Sequence, residues 1–302
     1  MAGAGRGWAR GKPLRRGSFF MSVMAQKFLL LCFLCLGAWL PARAGEESAR
    51  ALPRVVSLSP SLTEIIFSLG RGDALVGRST ACDFPPETAK LPAAGDFSRP
   101  FVEKILTLRP DLVVSTCFSD PASAAVLRRN KIEVRGLADA TLGDYRKILE
   151  YFGEVLDCRE AAAKEAARAE KLLRPLPGAE EKPRPRVLVL LSEKPLVTAG
   201  RKSFVHEMIT AAGGENIAGA EDKSYFPCSL EWIIRQRPEI IVIPAMAPAR
   251  AGKLSQTPGW RDLPAVRDGR VYVDCNPDWL CRLGPRVFDG IGWLREKIGT
   301  KP

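Results

Sequence analysis

"VVSLSPSLTEIIFSLG", residues 55–70, changes character half-way. It opens as a β-branched apolar run, closes with apolar residues at helical spacing, and has Ser59-Pro60-Ser61 at the seam. A strand running into a helix is the unit of an α/β fold. The seam itself admits a phosphate cradle, a nucleophile or a helix start. A cradle needs glycines for close backbone approach, and neither G-x-x-x-x-G-K nor G-x-G-x-x-G occurs. A nucleophile such as Ser59 or Ser61 needs a base, and the chain has one histidine, His206. Ser61-Leu62-Thr63-Glu64 fits a capping box, Ser61 accepting from the Glu64 amide while the carboxylate returns to the Ser61 amide. The seam is therefore expected to start a helix, and His206 to be an ordinary surface or capping residue.

Working outward, the chain echoes itself. "FVEKILTLRPDLVVS" (101–115) and "SLEWIIRQRPEIIVI" (229–243) match at a constant offset, Glu103 with Glu231, Arg109 with Arg237, Pro110 with Pro238. Each reads as a short helix stopped at Arg-Pro, then a buried parallel strand. Arg54-Val55-Val56 resembles Arg186-Val187-Leu188, and "TEIIFSLG" resembles "HEMITAAG". Two α/β lobes of similar plan follow, over 50–140 and 186–298, with mostly parallel sheets and separate cores. Between them, 141–175 is rich in Ala, Glu, Lys and Leu, with Thr141 and Asp144 placed as N-cap and third helical residue. It reads as one long connecting helix, followed by a Pro-rich linker over 176–185. A single strut predicts a modest opening angle between the lobes.

Composition limits the function. The formal charge of +11 suggests a polyanion partner until the chain is divided: residues 1–44 hold seven basic groups and no acid, leaving 38 basic against 34 acidic. That excess does not argue for nucleic acid. The basic segment has its own reading. An apolar run from Phe28 to Leu40, too short to span a bilayer, precedes Ala42-Arg43-Ala44, as in a signal peptide cut after Ala44. Export to an oxidising compartment leaves Cys82, Cys117, Cys158, Cys228, Cys275 and Cys281, which allow 15 full pairings. None forms a C-x-x-C, and with one histidine no metal site or cofactor is expected.

The loops expected at the carboxyl ends of the strands, where open α/β sheets bind ligands, carry Phe84, Phe97, Phe118, Tyr225, Phe226 and Trp279, with Asp278 and Arg282 among them. Aromatics gathered on loops suit a pocket lining. The sequence motifs then converge. "VVSLSPSLTEIIFSLG", "DFPPE" with "GDFSRP", "LRPDLVV", "GGENIAG" and "DWLCRLGPR" resemble the cobalamin-binding proteins of ATP-driven importers, within the wider iron-siderophore and cobalamin binding fold of helical-backbone, class III type. The likeness spans nearly all of 54–298.

That resemblance implies a monomeric periplasmic carrier, without enzymatic activity, that traps a corrinoid between two lobes and delivers it to an ABC permease with its ATPase. A ferric siderophore or haem is the alternative cargo within the same family, and Arg99, Arg201 and Arg282 leave an anionic chelate open. A secreted serine hydrolase would require His206 within reach of Ser59 or Ser61. Position by position, Phe84 falls at a ligand-covering Tyr, Phe226 near a Trp of the second lobe, and Asp278, Trp279 and Arg282 on the last loop. Glu103 and Glu231 match the paired carboxylates that dock on permease arginines. Where a family disulfide is expected, Ala212 and Trp293 stand instead. Cys82 with Cys117, and Cys228 with Cys275 or Cys281, are then the expected within-lobe bridges, with Cys158 left over.

Overall fold

The computed structural model describes residues 52–299 apart from Ser98, Ser119, 175–182, Ala245 and Ala247. The leader expected over 1–44 and most of the 176–185 linker lie outside them. The first lobe contains β1 (Val55–Ser57), α1 (Pro60–Ser68), β2 (Leu75–Ser79), β3 (Ala93–Gly95), α2 (Val102–Leu108), β4 (Leu112–Ser115), α3 (Pro121–Arg129) and β5 (Glu133–Gly136). Its five strands run in the order β3-β2-β1-β4-β5, every neighbouring pair parallel.

The connecting segment departs from the expected single helix. It forms two, α4 (Leu142–Val155) and α5 (Arg159–Leu173), folded back on each other. Asp157 turns the chain in the left-handed region at φ 50, a conformation Asp tolerates better than most residues. Gly153 lets the helices close: a Cβ there would lie 2.9 Å from that of Ala162. Further along, Tyr145 Oη donates to Glu165 at 3.0 Å and Arg146 pairs with Glu170 at 2.8 Å. The Thr141–Asp144 capping box is present as expected. The apolar period carries through a turn lacking Gly and Pro, which is why the break is invisible in the sequence.

The second lobe contains β6 (Arg186–Glu193), β7 (Leu196–Ala199), α6 (Phe204–Ala211), β8 (Glu215–Asn216), β9 (Tyr225–Pro227), α7 (Leu230–Gln236), β10 (Ile240–Val242), β11 (Val271–Tyr272) and α8 (Val287–Gly299). Its sheet runs β11-β10-β6-β7-β9, with β8 also on β6. The pairs of β7 with β6 and β9 are antiparallel, the others parallel. The echo in sequence is an echo in structure. Both α2 and α7 end in an arginine held left-handed, Arg109 (φ 48, ψ 57) and Arg237 (φ 48, ψ 59), before a buried strand. Arg54 and Arg186 repeat one device besides: each donates a guanidinium hydrogen bond of 2.8 Å to a carbonyl at the end of that helix, Leu108 and Gln236.

Side chains alternate across both sheets with period two. Val56, Leu58, Val113 and Ile105 form the outer core of the first lobe, Leu188, Leu190, Ile233 and Ile241 that of the second. The inner-face residues Val55, Leu112, Val114, Val187, Val189, Ile240 and Val242 instead join one continuous cluster with Tyr145, Leu149 and Phe152 of α4. The inner cores are thus not separate, since α4 is shared between them, whereas each lobe keeps an outer core of its own. At about 1.5–3 kcal/mol for each large side chain fully buried, this shared layer is a firm seat for both lobes.

Candidate ligand-binding cleft

The opening motif builds a buried hydroxyl cluster at the carboxyl ends of β1, β2 and β4 in the first lobe. Thr63 Oγ1 donates to Ser57 Oγ at 2.8 Å, Ser59 Oγ accepts from the Thr116 amide at 2.8 Å, and Ser115 Oγ donates to the Cys117 carbonyl at 2.8 Å. Cys82 Sγ lies 3.2 Å from Thr63 Oγ1 and 3.3 Å from Ser79 Oγ. Apart from Thr116, which is half-buried, these hydroxyl-bearing residues are fully buried. Short polar side chains tie the carboxyl ends of β1, β2 and β4 together. The capping box expected at Ser61 is not formed. Pro60, whose fixed φ suits a first helical position, moves the start back so that Ser59 is the N-cap. Ser61 lies inside the helix, and the Glu64 carboxylate turns elsewhere.

It turns to the other lobe. Arg286 Nε donates to Glu64 Oε2 at 2.9 Å and Arg286 Nη2 to Oε1 at 2.6 Å, a bidentate pair whose carboxylate is 2% exposed. Arg286 also reaches Asp278 at 3.0 Å. Arg282 pairs with Asp278 at 3.1 Å and holds Asp83 of the first lobe through both Nη atoms, at 2.5 and 3.2 Å. The hydrogen bond to Glu64 keeps the Arg286 guanidinium well above its usual pKa, and that from Arg282 holds Asp83 below the ordinary carboxylate value. Phe84 stacks over Arg286, with 4.2 Å from ring centroid to Cζ.

Beside this cluster lies a cavity of about 340 Å3, with Asp139 and Ala140 on one wall and Leu191, Val197, Phe204, Tyr225, Leu280 and Cys281 on the other. Burial raises the Asp139 carboxyl, raises the Tyr225 phenol further with help from the Asp139 charge, and raises the Cys281 thiol with help from Asp278. A larger cavity of about 540 Å3 opens behind, between the helical hairpin and α6, with His206 and Glu207 on its rim.

The aromatics expected at the cleft divide. Tyr225, 42% exposed, lines the cavity, while Phe84, 40% exposed, lies over Arg286 in the inter-lobe cluster. Phe97 is exposed on the Asp96–Arg99 turn, while Phe118 packs against the outer core of the first lobe. Phe226 does not share the outlook of Tyr225. Neighbours in a strand face opposite sides, and Phe226 is buried edge-on against Trp232 with centroids 5.8 Å apart. Trp279 packs against the shared core and the Gly290 backbone of α8. Asp278 and Arg282 belong to the inter-lobe cluster. Sequence reasoning missed Asp83, Asp139 and Arg286, and read Glu64 locally. Its available signal was "GPR", which ends in Arg286.

All six described cysteines are free thiols. Cys82 is held inside the hydroxyl cluster while Cys117 is exposed, so that expected bridge is not formed. Cys228 packs on the outer core and Cys275 in the shared one, on opposite faces of the sheet. The bridges from Cys228 to Cys275 or Cys281 are likewise not formed. His206, half-buried, sits 3.3 Å from Asn216 in the second lobe, whereas Ser59 is bonded to Ser115 and Thr116 in the first. Among the described residues no group of three or more His, Cys, Asp or Glu could hold a metal ion, and no helix is long and apolar enough to cross a membrane. Glu103 and Glu231 are exposed in the first turns of α2 and α7. Glu231 is held below the ordinary value by its own backbone amide and the Ser229 hydroxyl.

Residues 55–276 match the family described as "Periplasmic binding protein". The chain belongs to that family. An ABC transporter substrate-binding lipoprotein of Bacillus subtilis is 31% identical over 257 residues, covering 81% of this chain and 79% of its own. A vitamin B12-binding protein of Vibrio parahaemolyticus is 30% identical over 241 residues, covering 79% and 86%. Among solved structures, the apo periplasmic heme-binding protein RhuT of a Roseiflexus species superposes with a TM-score of 0.69 at 29% identity, covering 82% and 98%. Two α/β lobes joined through helices are the architecture this periplasmic binding protein shares with it.

Proposed function

We propose that this periplasmic binding protein, secreted by cleavage after Ala44, captures cobalamin or a related corrinoid and hands it to an ABC permease, performing no chemistry itself. The observation that carries this reading is the cleft between the strand carboxyl ends, walled by both lobes and flanked by Phe84, Tyr225 and the Asp278–Arg282 pair, in a chain similar over most of its length to a vitamin B12-binding protein. Flat rings suit the faces of a corrin, and charged groups its amide fringe. A cavity of 340 Å3 lies at the low end of the range that holds a drug-sized molecule, so a corrinoid enters by parting the lobes. Glu103 and Glu231, exposed at matching points of the repeated unit, then present the loaded carrier to permease arginines.

Haem is the second reading, favoured by the likeness to a heme-binding structure. Against it stands the donor chemistry. Haem iron takes an axial ligand from the protein, commonly His or an anionic Cys or Tyr. Here the one histidine, His206, lies 3.3 Å from Asn216 and outside the cleft lining, whose sulfur and phenol donors are Cys281 and Tyr225. A corrinoid brings its own axial base. Titration of the purified protein with cyanocobalamin and with haemin, followed by tryptophan fluorescence, tests this: cobalamin should quench and haemin should not saturate. Saturation by haemin alone would move the assignment. Glu103→Ala with Glu231→Ala should keep binding and lose transport.

A further inference from the structure

We infer that Glu64 and Arg286 are positioning residues that set Phe84 and Asp278 in place for the ligand, and that they do so across the lobe boundary, only when the lobes are docked. The inference rests on the corrinoid reading for its ligand, but its geometry is independent of cargo. Glu64 and Phe84 belong to the first lobe, Arg286 and Asp278 to the second. Arg286 has three jobs at once: a two-pronged bond to Glu64 at 2.6 and 2.9 Å, a bond to Asp278 at 3.0 Å, and a guanidinium plane 4.2 Å under the Phe84 ring. The planar, five-donor head of arginine allows this combination and a lysine ammonium does not. The Glu64 side chain is 2% exposed and that of Arg286 16%, so the carboxylate is sealed from water and depends on its protein partners. Gly284 packs closely on the pair, since a Cβ there would meet Glu64 Oε2 at 3.1 Å.

The consequence is a coupling. Parting the lobes removes Arg286 from Glu64 and takes away the surface on which Phe84 rests. A free ring then samples other rotamers, and re-docking restores the one that covers a ligand. The pair Asp83–Arg282, whose carboxylate is 62% exposed, is the outer and weaker clasp of the same boundary.

A double-mutant cycle tests the assignment. Arg286→Lys keeps the charge but loses the fork and the flat surface, and should weaken cyanocobalamin binding about five-fold, the scale of a partly buried cation–π contact. In a Phe84→Ala background the same change should cost less than two-fold. Equal losses in both backgrounds would show that Arg286 acts without the ring, and overturn the proposal. A ligand-free measurement separates this from the cargo question. In Phe84→Trp protein, acrylamide quenching attributable to the introduced indole should rise about two-fold on adding Arg286→Lys or Glu64→Gln. Unchanged quenching in both would refute the positioning role, whatever ligand the wild type binds. Failure of the wild type to bind cyanocobalamin, with the quenching rise present, would refute only the choice of ligand.

Discussion

Tyr145 offers the sharpest test of how the lobes are joined. Its ring is 1% exposed, meets Phe288 of α8 edge-on with centroids 5.4 Å apart, and its hydroxyl donates to Glu165 of α5. One side chain thus ties α4 to α5 and to the second lobe. Tyr145→Phe removes only the hydroxyl. Glu165 keeps its 2.8 Å partner Arg168, so the loss falls near the middle of the range for a net hydrogen bond, about 1 kcal/mol. Tyr145→Ala also empties a buried site and should cost about 3–5 kcal/mol, as for other large aromatics. At roughly 2–4 °C per kcal/mol for a chain of this size, calorimetry should find a drop of about 2–4 °C for Phe and at least about 6 °C for Ala. Equal effects from the two would mean that the hydroxyl, not the packed ring, carries the joint. A shift under about 2 °C for Ala would mean that the shared core is not seated on α4.

Three further outcomes are expected. Gly153→Val places a branched side chain where a Cβ already lies 2.9 Å from Ala162, and should lower stability by about 1–3 kcal/mol through overpacking, read by urea unfolding. Under native conditions a thiol reagent should modify the exposed Cys117 first, while Cys82, Cys158 and Cys275 react only on unfolding; burial also pushes the Cys275 thiol up to about 12. Mass spectrometry of the labelled peptides checks the order. Arg282 holds the Asp83 carboxyl below its usual 3.8. The stabilisation it gives is therefore full above 3.8 and is lost as pH falls through the lower folded value. A carboxyl NMR titration should find that midpoint, and Arg282→Met should return it towards 3.8.

The sequence revealed what depends on local period and on repetition. β-branched runs marked β1, β4, β6 and β10, and the matched Arg-Pro stops marked the ends of α2 and α7, because a proline and a left-handed residue leave their trace at fixed offsets. It concealed what depends on partners far along the chain. Glu64 sits where a capping carboxylate would, yet its bond is to Arg286, more than two hundred residues away, and a guanidinium outcompetes a backbone amide. The turn at Asp157 was hidden because neither Gly nor Pro marks it and the apolar stripe runs through. The two aromatics Tyr225 and Phe226 looked equivalent until strand β9 turned one of them inward. Cysteine count and compartment suggested bridges, but which face of a sheet each sulfur occupies is a tertiary fact.

The buried hydroxyl cluster at the strand ends has a consequence for how the carrier meets changing surroundings. Serine and threonine oxygens neither gain nor lose charge as acidity varies, and added electrolyte does little to a short dipolar contact sealed from solvent. The boundary between the lobes adds full charges to the apolar layer seated on α4. Brine should therefore weaken the exposed Asp83–Arg282 clasp first, while the sealed Glu64–Arg286 pair and the apolar layer on α4 keep the two halves together.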